Sequence, residues 1–302
     1  MEIRYLKYEE IDKIRWDKCI NMSFNGIVYA YSWYLDIVSY QWEALVLGDY
    51  KAVMPLIGKN KYGFNYIFQP RYTQQLGVFS QGILDANLVQ SFIDALPIKY
   101  KIIELSLNTY NKLNTGKLSI KQGVTYELDL ISNYKNLAKN YNSNTQRNIK
   151  KAIANKVQIS KHVNLKDLLL LVKQTSKIPI TFDHLNILRR LIPFSINHNL
   201  GDTYGAYNDR NELVAAAFFI RSHNKAIYLI SATTNEGKEL SAMFLLVDKY
   251  IKDNAEKNIT LDFEGSVIEN IARFYKGFGA TAINYNKVSI NRLPWFLRFI
   301  RC

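Results

Sequence analysis

The sequence of 302 residues is poor in cysteine and proline and has no long hydrophobic run. Its two cysteines, Cys19 and Cys302, cannot form a disulfide framework and show no metal-ligand spacing, so no metal site is predicted. The longest apolar runs, such as 213–220, are far shorter than the roughly 20 residues that a membrane-spanning helix needs. The first ten residues carry too many charges for a signal peptide. A cytoplasmic protein without a transmembrane segment is therefore expected.

Acidic residues are missing from two long stretches. Residues 131–165 contain seven Lys or Arg and no Asp or Glu, and no acid follows Glu269. The formal net charge of +13 favours anionic partners. A phosphate-bearing cofactor, RNA or an anionic membrane face would each fit, and charge alone does not choose among them.

With 48% hydrophobic residues and no low-complexity tract, nearly the whole chain should fold. Its length predicts two domains or one large domain. The pattern predicts a first α/β unit over 1–130, a basic linker helix over 131–156 and a second unit over 157–302. The two units repeat one order of strands and helices, although no sequence repeat is visible.

Residues 227–280 show the order strand, loop, helix, strand, helix, which predicts a crossover unit. The first of these helices, predicted over 240–253, has one apolar face, and Ser241 is expected to cap its first turn. Its N-terminus would attract an anion, so the preceding loop 233–239 is the first candidate site. The residues assigned here to cofactor binding are Thr233, Thr234, Asn235, Gly237, Lys238 and Ser241.

Two basic features outside this loop are candidates for anion binding. The helix predicted over 143–156 is capped by Ser143 or Asn144, and its cations Arg147, Lys150 and Lys151 form either a phosphate-binding face or a solvated surface. The segment 62–80 mixes aromatic residues with Gln and Arg71. It is either an edge strand with a turn at Pro70 or the lining of a cleft in which Arg71 clamps an anion.

Three stretches resemble known acyltransferases. Asn270-Ile-Ala-Arg-Phe-Tyr-Lys-Gly-Phe-Gly is similar to the GNAT pattern of Asn, Ala, Tyr and Gly-Phe, and Asp262-Phe-Glu-Gly-Ser precedes it where FemAB-like proteins leave a strand. The basic segment SNTQRNIKKAIANKV resembles the FemAB segment that leads into the second domain. The sequence thus resembles the FemAB group of tandem GNAT proteins, which includes aminoacyltransferases of peptidoglycan synthesis. The resemblance implies an α/β (α+β) fold of two tandem GNAT-like domains, each a mixed sheet flanked by helices.

The resemblance implies transfer of an acyl or aminoacyl group to an amine held between the two domains. The donor would be acyl-CoA or aminoacyl-tRNA, without a metal, and the acceptor a small-molecule or cell-wall-precursor amine. Such a transfer needs a base, an acid and oxyanion donors. Glu264 or Asp262 is the candidate for the base or for substrate binding, and Tyr275 for the acid. The alternatives are that the carboxylates cap the next helix and that the tyrosine belongs to the core.

Further residues follow from the family patterns. Asn270 is implied in cofactor binding, and Lys276 lies next to the position where FemAB proteins often have Phe-Lys, which makes it a candidate for anion binding. At the GNAT pyrophosphate motif this sequence has Glu236, Glu239 and Ser241 in place of Arg or Gln, Gly, and Gly or Ala. Two carboxylates there would repel a pyrophosphate, which favours tRNA or another large anionic donor over CoA. An acyl-CoA-dependent N-acetyltransferase and a non-catalytic protein that binds an anionic ligand or RNA are the alternatives.

Overall fold

The computed structural model describes residues 2–61, 63–114, 119–176, 178–265 and 269–297, and Cys302 and Ser266 lie outside them. The chain forms two compact units, residues 1–124 with 283–302 and residues 125–282. These bounds differ from the predicted domains 1–130, 131–156 and 157–302. The basic helix is part of the second unit because it packs on a helix of that unit, and the last strand pairs with a strand of the first unit.

In the part of the chain that the structure describes, the first unit contains strands of two sheets and three α-helices. Its strands are β1 (Ile3–Leu6), β2 (Glu43–Leu47), β3 (Ala52–Leu56), β4 (Gly58–Lys61), β5 (Phe64–Ile67), β6 (Phe79–Ser80), β7 (Tyr100–Ser106), residues 119–124 of β8 (Ser119–Asp129) and most of the last strand, Thr281–Asn291. Its helices are α1 (Lys13–Met22), α2 (Ser32–Val38) and α3 (Ala86–Asp94). One sheet has the order β1-β2-β3-β6, and β4, β5, β7 and the last strand are neighbours in the other.

The second unit contains a sheet in which β8, from residue 125 onward, pairs with β13. Its other strands are β9 (Gln158–Lys161), β10 (Gly201–Tyr207), β11 (Leu213–Ser222), β12 (Lys225–Thr233) and β13 (Thr260–Asp262). The last strand of the chain, Thr281–Asn291, is β14. Its helices are α4 (Tyr134–Lys139), α5 (Ser143–Ala154), α6 (Leu165–Thr175), α7 (Phe182–Asn197), α8 (Asn235–Glu239), α9 (Ala242–Asn254) and α10 (Glu269–Gly277). The sheet order in this unit is β8-β13-β12-β11-β10-β9.

The predicted crossover is confirmed by the register of the second sheet. Strands β9 to β12 form antiparallel pairs, whereas β12 and β13 are parallel, with Lys225 opposite Thr260 and Ile227 opposite Asp262. Helices α8 and α9 lie between these parallel strands in sequence. Of the apolar face predicted at Leu240, Phe244, Val247 and Ile251, the last two are buried in α9 and the first two are half-buried.

Two predicted helix starts were wrong. Helix α5 is capped by Asn142 and not by Ser143 or Asn144, because Asn142 has an extended backbone and its side chain accepts a hydrogen bond from the Thr145 N–H at 2.8 Å. The predicted loop 233–239 contains the short helix α8, whose cap is Thr234. Ser241 precedes α9 but makes no side-chain cap bond, since its backbone is left-handed at φ 58°.

Candidate functional site

The site begins where two parallel strands of the second unit separate. Register pairs between β12 and β13 end at Ile227 and Asp262, while β12 continues to Thr233. A shift in the β11–β12 register leaves Leu229 as an additional residue of β12. Such a bulge bends a strand and increases its twist. The far half of β12 is therefore free to border a cavity instead of pairing with β13.

A cavity of about 330 Å³ lies along this half of β12. This volume is within the range of small-molecule sites. Its walls come from β12, from the α8–α9 region and from α10. The lining residues are Tyr228, Ser231, Thr233, Gly237, Lys238, Ser241, Met243, Phe244, Asn270, Ile271, Phe274 and Tyr275.

Aromatic contacts give the cavity a rigid apolar wall. The Phe244 and Phe274 rings meet edge to face with their centroids 4.7 Å apart, and Tyr275 stacks on Phe263 at 4.9 Å. The Tyr228 hydroxyl donates to the Met243 sulfur at 3.0 Å. Packing of this kind fixes the positions of rings before a ligand arrives, which reduces the entropy lost on binding.

The α8–α9 region is held by close backbone packing. The Gly237 N–H donates to the Thr234 hydroxyl at 2.9 Å, and a Cβ on Gly237 would lie 2.3 Å from the backbone oxygen of Val214. Glycine is therefore required here for the approach of α8 to β11. Ser241, 5% exposed, donates its hydroxyl hydrogen to Asn148 Oδ1 of α5 at 2.8 Å.

The two glutamates of the altered pyrophosphate motif differ in their surroundings. Glu236 is an ion-pair partner of Arg210 at 3.1 Å and accepts a hydrogen bond from Asn208 at 2.9 Å. Glu239 is exposed at the end of α8. Neither of them lines the cavity. The repulsion expected from Glu236 is reduced, because Arg210 compensates its charge.

Tyr275 is the predicted acid, and its phenol borders the cavity. Burial raises its pKa well above the ordinary value, and the nearby charges of Tyr228, Glu264 and Asp262 raise it further. Burial also raises the pKa of Tyr228. Both phenols are therefore protonated at neutral pH. The Tyr228 hydroxyl donates to Met243, and the Tyr275 hydroxyl can donate to a ligand.

The predicted carboxylates lie beside Tyr275 but do not line the cavity. Asp262 is 2% exposed, accepts hydrogen bonds from the Thr125 hydroxyl at 2.5 Å and the Glu264 N–H at 2.9 Å, and lies 3.4 Å from the Lys225 ammonium. These contacts fit a residue that fixes the turn after β13. Glu264 is half-buried and has a left-handed backbone at φ 59°. This conformation costs on the order of 1 kcal/mol in residues other than glycine.

The basic helix lies against the same region. Helix α5 packs on α9, and Asn148 joins it to Ser241 at the edge of the cavity. Arg147, Lys150 and Lys151 are exposed on α5, and the Arg147 guanidinium donates to Asn144 Oδ1 at 2.8 Å. The helix that carries these predicted phosphate-binding cations therefore packs on the helix that begins at the cavity.

The remaining predicted residues are divided between the two units. The structure brings Thr233, Gly237, Lys238, Ser241, Asn270 and Tyr275 together around the cavity. Thr234 caps α8, and Asn235 Oδ1 accepts a hydrogen bond from the Lys238 ammonium at 3.0 Å. Neither Thr234 nor Asn235 lines the cavity. Lys276 lies over the Tyr126 ring at 5.7 Å, outside the cavity lining. Arg71 belongs to the first unit, where its guanidinium lies 5.8 Å from the Tyr72 ring.

Six lining residues were not predicted: Tyr228, Ser231, Met243, Phe244, Ile271 and Phe274. The sequence could have indicated Phe244 and Phe274, because each lies at the helical spacing of an apolar face. No sequence pattern indicated Tyr228 and Ser231. The bulge at Leu229 changes which side chains of β12 point to each face of the sheet, and it depends on the pairing with β11.

No family model and no curated protein matches the chain. Solved structures do match its fold. FemX superposes with a TM-score of 0.68 at 11% identity, over 99% of this chain and 100% of that one. The chain therefore has a FemAB-like, GNAT-related fold. The predicted fold class of two GNAT-like units is confirmed.

Two other structures share the FemX-like fold. One is the C-terminal domain of an Agrobacterium fabrum protein assigned as a lysylphosphatidylglycerol synthetase, with a TM-score of 0.56 at 9% identity over 93% of this chain and 92% of that one. The other is L-PGS from Bacillus licheniformis, with a TM-score of 0.52 at 7% identity over 85% of this chain and 86% of that one. At these identities the likeness is one of fold.

Two features are missing from the part of the chain that the structure describes. Among the described residues, no group of three or more His, Cys, Asp or Glu side chains could hold a metal ion. In the same part of the chain, no helix has the length and apolar character needed to cross a membrane.

Proposed function

We propose that the protein is an acyltransferase that binds the reactive end of its donor in the cavity beside β12 and transfers the acyl or aminoacyl group to an amine. The observation that carries this proposal is the cavity itself. It lies where β12 and β13 separate, and it is lined both by the start of α9 and by Tyr275. The FemX-like fold supports the same class of reaction.

Each step of the transfer is assigned to a residue near the cavity. The amine attacks the acyl carbonyl, its proton passes to water and through it to Glu264 beside Tyr275, and the bond between the carbonyl and the leaving group breaks. Tyr275 gives a hydrogen bond or a proton to the leaving atom. The β12 backbone stabilises the oxyanion. Asp262 positions the turn that carries Glu264, because it accepts the Glu264 N–H.

An aminoacyl ester such as aminoacyl-tRNA is the donor that we favour. The raised pKa of Tyr275 suits a basic alkoxide leaving group better than a thiolate, whose conjugate thiol has a pKa of about 8.5. The exposed cations Arg147, Lys150 and Lys151 border the same region and would contact a phosphate backbone. Lys238 at the cavity edge would bind a phosphate of the same donor.

A titration with CoA, an acyl-CoA and a charged tRNA tests the donor. We expect the charged tRNA to bind with a strong salt dependence, and Arg147→Gln with Lys150→Gln and Lys151→Gln to weaken it by about 100-fold. A matched control removes the exposed cations Lys18, Lys51 and Lys112 of the first unit. Tight CoA binding that survives the first triple substitution would contradict an aminoacyl-tRNA donor and support an acyl-CoA-dependent enzyme.

A non-catalytic role in binding an anionic ligand or RNA is the second candidate function, and the altered pyrophosphate motif favours it. It predicts that cells tolerate Glu264→Gln and Tyr275→Phe but not the loss of Arg147, Lys150 and Lys151. The acyltransferase predicts that each of the two sets abolishes function. Complementation with both variants separates the two proposals.

A further inference from the structure

A second cavity, of about 590 Å³, lies in the second unit away from the donor cavity. It is a groove between helices α6 and α7. Its lining residues are Leu165, Lys166, Leu169, Leu170, Lys173, Leu185 and Arg189. None of them lines the cavity beside β12. The proposed transferase chemistry does not use this groove.

The floor of the groove is apolar, and its apolar character continues outside it. Leu170 on α6 is 51% exposed, Ile178 in the α6–α7 connection is 63% exposed, and Phe182 at the start of α7 is 70% exposed. Leu168, Leu171 and Val172 are buried and anchor α6, so the packing of α6 does not account for the exposed Leu170. Large apolar side chains exposed together indicate a contact surface.

Three cations border this apolar surface. Lys166 and Lys173 lie on α6, and Arg189 on α7 lies with its guanidinium 5.7 Å from the Phe182 ring centroid. Within the described part of the chain none of the three is in an ion pair, whereas Arg210 and Arg221 in the same unit are paired with carboxylates. Three neighbouring uncompensated positive charges create a local site for anions.

The acids of α6 and α7 do not cancel this charge. Burial raises the pKa of Tyr207 in β10, and the charge of the nearby Asp167 raises it further, so this carboxylate lies towards β10. Asp183 is in the first turn of α7, where it interacts favourably with the helix dipole. Neither carboxylate lines the groove. The exposed surface therefore combines an apolar centre with a basic border.

We infer that the α6–α7 surface docks on an anionic lipid bilayer. The leucines and Phe182 would enter the interface between headgroups and acyl chains, while Lys166, Lys173 and Arg189 contact anionic headgroups. A single soluble amphiphile in the groove would leave Ile178 and Phe182 in water. A bilayer surface covers the groove and both of these side chains at once.

Sedimentation with vesicles tests this inference on the full chain. The vesicles are phosphatidylcholine alone and equal parts of phosphatidylcholine and phosphatidylserine. We expect binding to the anionic vesicles only, with a loss on the order of 100-fold in Lys166→Gln, Lys173→Gln, Arg189→Gln combined. The control Lys18→Gln, Lys51→Gln, Lys112→Gln removes the same charge from exposed sites of the first unit and should bind within about threefold of the parent protein.

Apolar substitutions and fluorescence give independent readouts. Leu170→Gln combined with Ile178→Gln should weaken vesicle binding at least about tenfold at unchanged charge. Tryptophan emission should shift to the blue on anionic vesicles in Phe182→Trp but not in Phe24→Trp, since Phe24 is 61% exposed in the first unit.

Three outcomes would overturn the inference. In the first, the parent protein does not bind anionic vesicles. In the second, the control triple loses as much binding as the groove triple, so that net charge alone is responsible. In the third, soluble laurate binds in the groove while vesicles do not, which assigns the groove to a free amphiphile. The donor titration is a separate experiment, and either proposal can fail without the other.

Discussion

The hydroxyl of Ser241 bonds to Oδ1 of Asn148 at 2.8 Å, which joins the start of α9 to the basic helix α5. The bond connects a residue that lines the donor cavity with the face that carries Arg147 and Lys151. The Ser241 hydroxyl is therefore bonded to α5 instead of capping its own helix.

The Ser241–Asn148 bond should have a measurable coupling energy. We expect Ser241→Ala to lower the free energy of unfolding by about 1 kcal/mol, because the hydrogen bond is lost. Ser241→Gly should be nearly neutral, since relief of the left-handed backbone offsets the lost bond. Urea unfolding of a double-mutant cycle with Asn148→Ala measures the coupling. Additive single substitutions would show that the contact contributes nothing.

Gly237 should tolerate no side chain. A Cβ there would lie 2.3 Å from the Val214 oxygen, so α8 must move away from β11 in Gly237→Ala. We expect a loss of about 1–3 kcal/mol in the free energy of unfolding and weaker donor binding. The control is Gly82→Ala, where nothing lies within 4 Å of the added Cβ. Equal stability of the two variants would contradict the packing role.

Tyr275→Phe should reduce turnover while the fold stays intact. The phenol borders the cavity, and its removal takes away one proton or hydrogen-bond donor, which is worth about 10²-fold or more in rate. The measurement is kcat for aminoacyl transfer together with donor affinity, which should change little. Tyr141→Phe, a substitution at a buried tyrosine outside the cavity lining, is the control.

Asp262 and Glu264 should separate into a structural and a catalytic effect. We expect Asp262→Asn to lower the free energy of unfolding by about 1–3 kcal/mol, because the Lys225 ammonium loses a buried partner. Glu264→Gln should lower kcat with little effect on stability, since Glu264 is only half-buried. Thermal unfolding and kcat measured on both variants decide the assignment. If Asp262→Asn lowered kcat and Glu264→Gln lowered only stability, Asp262 would be the base.

Stability should fall above pH 10. Burial raises the pKa of Tyr31 to about 12, with a contribution from Asp17, and burial also raises the pKa of Tyr204 and Tyr228 from the ordinary 10.0. The unfolded chain therefore loses phenol protons from about pH 10 while the native state retains them. The contribution of these groups is fully present below pH 10 and declines as pH rises through the native pKa of each. Melting temperatures from pH 8 to 12, with phenolate absorbance, test this.

Much of the fold followed from local patterns. The apolar face of α9, the polar turns between β10, β11 and β12, and the parallel crossover to β13 are all visible as periodicity and turn residues. The domain bounds did not follow, because the place of β14 depends on its pairing with β7, which is distant in sequence. The residues of a strand do not indicate which distant strand will pair with it.

The sequence by itself determined that a helix begins after a polar loop near Ser241 and that a Tyr and an Asn lie on the last helix. It therefore indicated the site through Thr233, Lys238, Asn270 and Tyr275. Only the tertiary structure decided that these residues share one cavity, because the bulge at Leu229 and the early end of β13 open the space between the strands. Tertiary contacts also pair Glu236 with Arg210, since an ion pair between distant segments exists only after the chain has folded.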